Sequence, residues 1–284
     1  MSFDATWFRC PNCFSPLEPL ERLVLGCESG HRFDIARQGT VTLLPPRAPR
    51  TIGDDHQMLS ARAALLDSAL YLPIADSVAA IATSLSGRAP EGDAVGPRLV
   101  DFGCGTGYYA SRVADDTGAS SVLLADRSPV AVRMATRTVE GATGVVLDIW
   151  RPLPLRDGSA DLALNVFAPR NPDEYARVLR AGGVLLVVVP REEHLAELRR
   201  DGSVLAVPPD KERAVSEALA AAGFDLAEHL PVRYETDVTA EQRVMLVAMG
   251  PSAHHAAAGG SEAHAPLRVT VSVDVLAFRR RPLP

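Results

Sequence analysis

Short apolar runs alternate with helical stretches along the chain from residue 98 onward. Wholly apolar runs separated by amphipathic segments predict βαβ units and a parallel sheet whose two faces are covered by helices. We predict strands over residues 98–102, 121–125, 144–147, 162–167 and 184–189. We predict helices over residues 108–117, 129–139, 172–179 and 211–222. Residues 268–278 alternate between apolar and polar positions, which predicts a late strand at the edge of the sheet.

The chain before residue 98 has a different pattern. Prolines and glycines interrupt every run in residues 1–45, and apolar residues are sparse there. A segment this small usually needs a disulfide or a bound metal to fold. A linker rich in proline and arginine follows, and residues 54–85 predict two helices that are separated at Pro73. The sequence therefore predicts a small domain over 1–45, a linker and helical segment over 46–97, and an α/β domain over 98–284.

Three of the four cysteines lie in the first segment, at the spacing Cys10-x2-Cys13-x13-Cys27-x3-His31. Two cysteines separated by two residues can direct both sulfurs at one ion, and a second pair across a short hairpin completes a tetrahedral Cys3His set. Four protein ligands leave no open position on Zn²⁺, so we predict a structural zinc ribbon whose metal supplies folding energy. Unconnected thiols or a redox pair are the alternatives, but no βαβ pattern surrounds Cys10 and Cys13.

Charge and composition restrict the partners. The 284 residues carry 35 acidic and 29 basic side chains, and the net charge of −6 excludes coating of nucleic acid by bulk charge. Residues 29–50 are locally basic, which predicts RNA contacts, with an ordinary solvated surface as an equal alternative. The arginines concerned are Arg32, Arg37, Arg47 and Arg50. No leader pattern and no apolar run long enough to span a bilayer is seen, so we expect a cytoplasmic protein without a membrane partner.

A glycine loop follows the first predicted strand of the α/β domain, where residues 101–107 read Asp-Phe-Gly-Cys-Gly-Thr-Gly. Glycines at this position allow a tight turn and close approach of a ligand to the backbone at the carboxyl end of the sheet. Asp126 ends the next strand, where an acid can accept hydrogen bonds from both hydroxyls of a ribose. The loop alone also fits a nicotinamide dinucleotide.

Further features favour S-adenosylmethionine. Asp101 precedes the first glycine and can reach a methionine amino group through loop water or backbone, while Asp148 ends the third strand, where an adenine-contacting acid belongs. With the Gly182-Gly183 turn between a helix and a strand, this set resembles the class I S-adenosylmethionine-dependent methyltransferases, which have a Rossmann-like, mostly parallel seven-stranded sheet. The predicted cofactor contacts are Asp101, Gly103, Cys104, Gly105, Thr106, Gly107, Asp126 and Asp148. Turn capping is the alternative for Asp101 and Asp148, and packing for Cys104.

The ribbon and the methyltransferase motifs together resemble the bacterial 23S rRNA (guanine-N1)-methyltransferases. Short matches spread over nearly the whole chain carry this resemblance. They are Met1-Ser2-Phe3, Gly30-His31-Arg32-Phe33-Asp34, Leu43-Leu44-Pro45, Ala61-Arg62-Ala63, Leu66-Asp67, Tyr71 with Pro73, Asp101–Tyr109, Phe167-Ala168-Pro169 and His194-Leu195-x-Glu197-Leu198. The resemblance implies methyl transfer to N1 of a guanine in a domain II hairpin of 23S rRNA, with the 748-type position favoured over the 745-type. It also implies a homodimer and, for the branch we favour, resistance to tylosin-type macrolides.

The resemblance assigns roles to two residues for which the local pattern predicts nothing. It implies that Tyr71 and His194 position the cofactor; without it, Tyr71 would be interpreted as core packing and His194 as an exposed residue of a first helical turn. The chain departs from the family in residues 252–265, a low-complexity loop with three histidines. There, a solvated loop is favoured over a second metal site at His254, His255 and His264.

Methylation at guanine N1 requires an unpaired base and loss of the N1 proton. The turn over residues 165–170 follows the fourth predicted strand, where related enzymes hold the target base. Phe167 could stack on guanine, Asn165 could read its edge and Arg170 could hold phosphate. The sequence does not choose a base for the proton among Asp148, Glu192, Glu193 and His194. The catalytic candidates are therefore Asp148, Asn165, Phe167 and His194.

Two other functions remain open at this point. One is a small-molecule methyltransferase of secondary metabolism whose ribbon is only structural. The other is a non-catalytic, zinc-dependent binding module with a vestigial cofactor fold, against which the intact glycine loop and Asp126 count.

Overall fold

The computed structural model describes residues 3–45, 53–86, 96–200, 207–249 and 266–282. The strands in these ranges are β1 Glu18–Glu21, β2 Val24–Gly26, β3 Arg32–Ala36, β4 Thr40–Thr42, β5 Arg98–Phe102, β6 Ser121–Asp126, β7 Thr143–Val146, β8 Ala160–Val166, β9 Leu179–Pro190, β10 Phe224–Val238 and β11 Leu267–Arg280. The helices are α1 His56–Asp67, α2 Leu72–Ser86, α3 Tyr108–Thr117, α4 Pro129–Thr138, α5 Pro172–Val178, α6 Ala196–Arg200, α7 Lys211–Ala221 and α8 Ala240–Ala248.

The described strands form one sheet in the order β1-β2-β3-β4-β7-β6-β5-β8-β9-β11-β10. Its part from β7 to β10 contains seven strands, of which all but β11 and its partner β10 pair in parallel. This is the predicted Rossmann-like arrangement of a class I methyltransferase, and the predicted strands and helices of the α/β domain are all present.

The sheet differs from the prediction at both of its ends. At one end β4, inside the segment assigned to the ribbon, pairs in parallel with β7 and extends the sheet beyond seven strands. At the other end the prediction of an edge position for β11 is wrong, because β10 pairs along its outer side. The pattern of β10 hid this strand, since nine of its fifteen residues are exposed and no continuous apolar run marks it.

Side chains on the two faces of the sheet enter two separate cores. Leu99 of β5 points into a core with α2, α3 and α8, and its neighbour Val100 points into the core on the opposite face. That second core contains α5 and α7 and also Trp7, Phe8 and Leu25 of the N-terminal segment. The ribbon therefore covers part of one face of the sheet, next to α5 and α7.

Polar contacts fix the N-terminal segment to the amino ends of the central strands. Asp4 forms an ion pair with Arg98 at 3.2 Å and accepts a hydrogen bond from the Ser121 hydroxyl at 2.8 Å. The indole N–H of Trp7 donates to the same hydroxyl, and the Arg98 guanidinium lies 4.1 Å from the centre of the Trp7 ring. The N-terminal segment is thus docked on the α/β domain.

The helical segment folds as two helices, as predicted. Pro73 is the second residue of α2, a position that tolerates the missing N–H of proline, and Asp55 caps α1 by accepting from the Met58 amide at 2.9 Å. No single helix in the described ranges is long and apolar enough to span a membrane. Among the described helices, only α1 and α2 taken together have the length and apolar composition of a membrane span, and their axes are bent by 81° at the junction.

Candidate active site and metal centre

The four predicted metal ligands meet at the end of the ribbon. The ligand atoms of Cys10, Cys13, Cys27 and His31 all lie within 4.8 Å of one another. The Cys13 and Cys27 sulfurs are 3.6 Å apart, and His31 Nδ1 lies 3.4 Å from the Cys27 sulfur and 3.6 Å from that of Cys10. Bonds of about 2.3 Å to sulfur and 2.1 Å to nitrogen give tetrahedral edges of about 3.6–3.8 Å, so the set fits structural Zn²⁺.

Local hydrogen bonds prepare the sulfurs for the metal. The Asn12 amide donates to the Cys10 sulfur at 3.4 Å, as expected where two ligands flank a tight turn. Hydrogen bonds from Ser29 and Ser15 lower the pKa of Cys13 to about 5, whereas burial raises the pKa of Cys10. Because Zn²⁺ binds the thiolate, a low pKa places the half-buried Cys13 in its binding form at neutral pH.

The glycine loop between β5 and α3 packs closely against neighbouring residues at Gly103 and Gly107. Gly103, Gly105 and Gly107 all have positive φ, at 86°, 52° and 82°, which favours glycine at each position. A Cβ on Gly103 would lie 2.4 Å from the Cβ of Ala168, and one on Gly107 would lie 2.9 Å from the Ala135 backbone. The loop therefore requires glycine both for its conformation and for close packing.

Asp126, at the end of β6, is bound to this loop. Its carboxylate accepts from the Gly105 amide at 3.0 Å and from the Ser128 amide at 2.8 Å. Asp101 is buried beside it, and burial together with the charge of Asp126 raises the pKa of Asp101 to about 8. Cys104 is buried in the adjacent core, where burial raises its pKa well above the ordinary value, so it packs as a thiol. These acids lie where a cationic cofactor would be favoured.

Helix α1 contributes one residue, Arg62, that sequence reasoning missed. Arg62 lies over the glycine loop, with its Nη1 atom 3.4 Å from where a Cβ on Gly105 would lie. It forms an ion pair with Asp54 at 2.6 Å and donates to the Met249 carbonyl at 2.8 Å. The Ser128 hydroxyl in turn donates to the Asp54 carbonyl at 2.7 Å. Arg62 stood inside a family match in the sequence, but its helical position gave no signal for a contact with the loop.

An aromatic cluster lies next to the glycine loop. The ring centres of Tyr71, Phe167 and His194 are 6.0–6.2 Å apart in each pair. Phe167 is 40% exposed and has a φ of 53°, an uncommon backbone conformation for a residue with a side chain. The turn that holds it packs on Gly103 through Ala168. The structure thus brings together three residues whose roles the resemblance or the target-base hypothesis implied.

The hydrogen bonds of His194 show which of its ring nitrogens carries the proton. Its Nδ1 accepts from the Ser272 amide at 3.2 Å, and its Nε2 lies 3.3 Å from the Tyr71 hydroxyl. Burial lowers the pKa of His194 to about 4, so the ring is neutral and its one proton is on Nε2, which donates to Tyr71. Because the only lone pair of the ring is occupied, His194 as placed orients Tyr71 and has no free atom with which to take a proton from guanine.

Asn165, the residue predicted to read the base edge, is completely buried. Its side-chain amide donates to the carbonyls of Pro169 at 2.8 Å and Phe102 at 3.2 Å, so it ties the Phe167 turn to β5. Tyr175 supports the same turn by donating to the Pro169 carbonyl at 3.0 Å. In this structure Asn165 holds the turn from below, and Phe167 is the residue that faces solvent.

Two half-buried cations flank this turn. Arg170 donates to the Ala168 carbonyl at 3.3 Å, and burial lowers its pKa. The charge of Arg170 adds to burial in lowering the pKa of Lys211, the first residue of α7 and the only lysine in the chain. The sequence pointed to Arg170; it offered no reason to place Lys211 beside it.

Asp148, at the end of β7, already has partners for both carboxylate oxygens. One oxygen lies 2.5 Å from Nη1 of Arg127, and the other accepts from the Trp150 amide at 3.1 Å. This geometry agrees with the turn-capping alternative. Its predicted contact with adenine stays a prediction.

Comparisons with known proteins match both parts of the chain. Residues 8–50 match the family model of the RlmA N-terminal zinc ribbon, and residues 99–183 match that of the methyltransferase domain. A 23S rRNA (guanine(748)-N(1))-methyltransferase of Streptomyces fradiae is 46% identical over 252 residues, which are 88% of this chain and 86% of the relative. A Micromonospora griseorubida protein, provisionally named a 23S rRNA (guanine-N1)-methyltransferase, is 39% identical over 95% of this chain and 96% of its own length.

The chain belongs to the 23S rRNA (guanine-N1)-methyltransferase family. The predicted methyltransferase fold, the S-adenosylmethionine cofactor and the structural zinc are therefore confirmed. Solved structures agree on the fold alone. A chain of the Haloferax volcanii complex between a methyltransferase and its Trm112 activator has a TM-score of 0.52 at 18% identity and covers 81% of this chain and 100% of its own. The YcgJ protein of Bacillus subtilis has a TM-score of 0.50 at 16% identity, over 73% of this chain and 99% of its own.

The methyltransferase presents some of its predicted RNA contacts on the ribbon surface. Arg32 in β3 and Arg37 after it are exposed, and in the part of the chain that the structure describes neither lies within ion-pair distance of an acid. Arg47 and Arg50 lie outside the described residues, as does the loop with His254, His255 and His264.

Proposed function

We propose that this methyltransferase transfers a methyl group from S-adenosylmethionine to N1 of a guanine in a domain II hairpin of 23S rRNA. The guanine of the 748 type is favoured over the 745 type, and the modification confers resistance to tylosin-type macrolides. The relative that is 46% identical is named for guanine 748, which supports the choice of position. The observation that carries the proposal is the exposed ring of Phe167, held beside the glycine loop by Asn165 and Ala168.

The chain's own residues mainly position the reacting atoms. Methyl transfer is an in-line displacement in which guanine N1 attacks the methyl group on the cofactor's sulfonium, so alignment supplies most of the catalysis. Phe167 stacks on the flipped guanine, and Tyr71, fixed by His194, borders the cofactor side of the pocket. Arg170 and Lys211 supply positive charge for the RNA backbone next to the flipped nucleotide.

The N1 proton must leave at or before attack. Of the four candidate acceptors, His194 has no free lone pair and Asp148 has partners on both oxygens. Glu192 and Glu193 are exposed on the loop that precedes His194. We therefore assign proton removal to one of these glutamates or to the solvent that they face.

The domain roles follow from the same proposal. The ribbon over residues 1–45 recognises RNA with the help of the linker that follows it, through Arg32 and Arg37 of the ribbon and Arg47 and Arg50 of the linker. The segment over 46–97 links the ribbon to the catalytic part, and residues 98–284 carry the chemistry. The protein acts as a homodimer on rRNA in the cytoplasm, without a membrane partner. Exposed, unpaired arginines on β3 and after it support the RNA role of the ribbon.

Methyl transfer into naked 23S rRNA tests the proposal. The protein is incubated with labelled S-adenosylmethionine and the rRNA, and the product is mapped by primer extension. Methylation at N1 blocks Watson–Crick pairing, so the reverse transcriptase must stop next to the modified guanine. The same rRNA with that guanine replaced by adenine is the matched control and should give neither label nor stop at this position. Cofactor binding without any stop in the rRNA would instead favour a small-molecule methyltransferase.

A further inference from the structure

Trp150 is an exposed tryptophan that follows a strand at the carboxyl edge of the parallel sheet. The chain has two tryptophans; Trp7 is completely buried, whereas Trp150 is 68% exposed. It follows β7 in the turn that begins at Asp148. Large aromatic side chains are usually largely buried in proteins, and an exposed indole offers a flat face on which a ligand can stack.

The backbone on both sides of Trp150 is held in place by one side chain. The Asn171 amide donates to the carbonyl of Ile149 at 2.8 Å and to that of Arg151 at 3.3 Å. The Trp150 amide donates to the Asp148 carboxylate, and the Arg151 amide donates to the Asp148 carbonyl, both at 3.1 Å. Since the turn is already ordered, docking a flat ligand on the indole costs little conformational entropy.

The position of this turn relates it to the target base. Asn171 lies four residues after Phe167, on the loop that carries the exposed ring of the pocket. Strand β7 neighbours β6, whose end holds Asp126 at the cofactor loop. Asn171 therefore joins the Trp150 turn to the segment that follows Phe167, and both turns lie at the carboxyl ends of parallel strands of one sheet.

The charge around Trp150 favours a nucleic acid over an apolar protein surface. Arg151 is exposed, and among the described residues no acid lies within ion-pair distance of it. An aromatic face next to a free guanidinium is the combination with which proteins bind unpaired nucleotides, the ring stacking on a base and the cation contacting phosphate.

We propose that Trp150 stacks on an unpaired base next to the target guanine and that Arg151 contacts the phosphodiester beside that base. The proposal rests on the proposed function, because it takes the RNA as the substrate. Flipping a guanine out of the hairpin removes stacking from its neighbour, and the indole replaces it. Stacking of this kind is tolerant of sequence, so Trp150 holds the opened hairpin while Phe167 holds the guanine.

Tryptophan fluorescence during titration with the hairpin RNA tests this directly. The wild-type fluorescence should be quenched, since Trp150 meets the RNA and Trp7 is buried. Trp150→Ala should weaken RNA binding about 5- to 100-fold, corresponding to the loss of one base–aromatic stack. Trp150→Phe keeps a ring, so it should bind within a few-fold of wild type while losing the quenching. Leu226→Ala is the matched control. Leu226 is an exposed apolar residue near the start of β10, at the edge of the sheet opposite to Trp150, so this variant should behave as wild type.

The outcomes separate this proposal from the proposed function. Quenching that persists in Trp150→Phe, or a Trp150→Ala protein that binds and methylates the hairpin as wild type, overturns the stacking role alone. A change in S-adenosylmethionine affinity in Trp150→Ala, measured without RNA, also overturns it, because the indole would then contact the cofactor. A Trp150→Ala protein with a changed oligomeric state also overturns the stacking role, because the indole would then lie in a contact between protomers. A wild-type protein that neither binds nor methylates the hairpin overturns the proposed function, and this proposal with it.

Discussion

The zinc cluster and the cofactor edge are two sites of one chain that are assembled in opposite ways. All four zinc ligands lie within residues 10–31, so a single hairpin brings them together. The cofactor edge combines α1, β5, β6, the turn after β8 and the loop after β9; its Tyr71–His194 hydrogen bond joins residues that are 123 positions apart. A local site can be recognised from spacing, whereas a site built across the sheet depends on the whole fold.

The two sites also depend on the protein core differently. The residues around the zinc cluster share a core with the catalytic domain, since Phe8 and Leu25 pack in the same cluster as Leu153 and Leu155. The cofactor edge lies at the ends of strands, where small residues and a few hydrogen bonds shape it. Damage to the first site should therefore affect folding of the whole chain, and damage to the second should affect ligand binding first.

Removal of a zinc ligand should have the largest effect. Structural zinc contributes binding energy on the order of 10–16 kcal/mol in small domains, and this energy is coupled to folding. Cys27→Ser should lose the metal and lower the melting temperature of the entire protein, as measured by zinc content and thermal unfolding. Cys104→Ser is the control, because Cys104 lies outside the cluster and this variant should keep its zinc. Unchanged unfolding of zinc-free Cys27→Ser would show that the ribbon is not coupled to the catalytic domain.

Gly103→Ala should have the next largest effect, and mainly on the cofactor. Its Cβ would lie 2.4 Å from the Cβ of Ala168, so the turn that carries Phe167 must move. Backbone strain alone costs about 1–2 kcal/mol, and we expect roughly a tenfold or greater loss of S-adenosylmethionine affinity by calorimetry. Gly118→Ala has a similar φ of 64° but no atom within 4 Å of the new Cβ. It should lose stability without losing affinity, and equal losses of affinity in both variants would contradict the packing argument.

The smallest effect expected is a pH dependence of cofactor binding through Asp101. Burial raises the pKa of Asp101 to about 8, so its carboxyl group is protonated in the free protein at neutral pH. A cationic cofactor favours the carboxylate and lowers this pKa on binding, so binding releases a proton and affinity increases as pH rises from about 6 to 8. Calorimetry in two buffers of different ionisation enthalpy measures that proton.

Asp101→Asn is the control for this dependence. It keeps the shape of the side chain but cannot titrate, so the proton release and the slope of affinity between pH 6 and 8 should both decrease. The amino group of the cofactor also titrates, but it contributes equally with both proteins, so its contribution cancels when the two pH dependences are compared. A slope that is the same in Asp101→Asn would place the titrating group elsewhere.

Several features of the protein could be predicted from the sequence because they depend on neighbours in the chain. The cysteine spacing predicted the Cys3His cluster, glycines between an apolar strand and a helix predicted the tight loop after β5, and alternation of runs predicted the parallel sheet. In each case the required geometry, a knuckle, a positive φ or a buried strand, is imposed within a few residues. The cofactor-positioning roles of Tyr71 and His194 stay predictions that rest on the family resemblance alone, since neither residue has a local pattern of its own.

The tertiary structure decided the features that depend on distant contacts. Pairing of β4 with β7 joined the ribbon to the catalytic sheet, and β10 took the edge that the pattern had assigned to β11. Packing placed Arg62 over the glycine loop and buried Asn165 beneath the turn that exposes Phe167. An arginine in a helix, or an asparagine or phenylalanine at the end of a strand, fits the local sequence pattern equally well whether it faces a ligand or packs inside the protein. Only the meeting of strand ends from separate parts of the chain sets which side chains face the ligand and which support it.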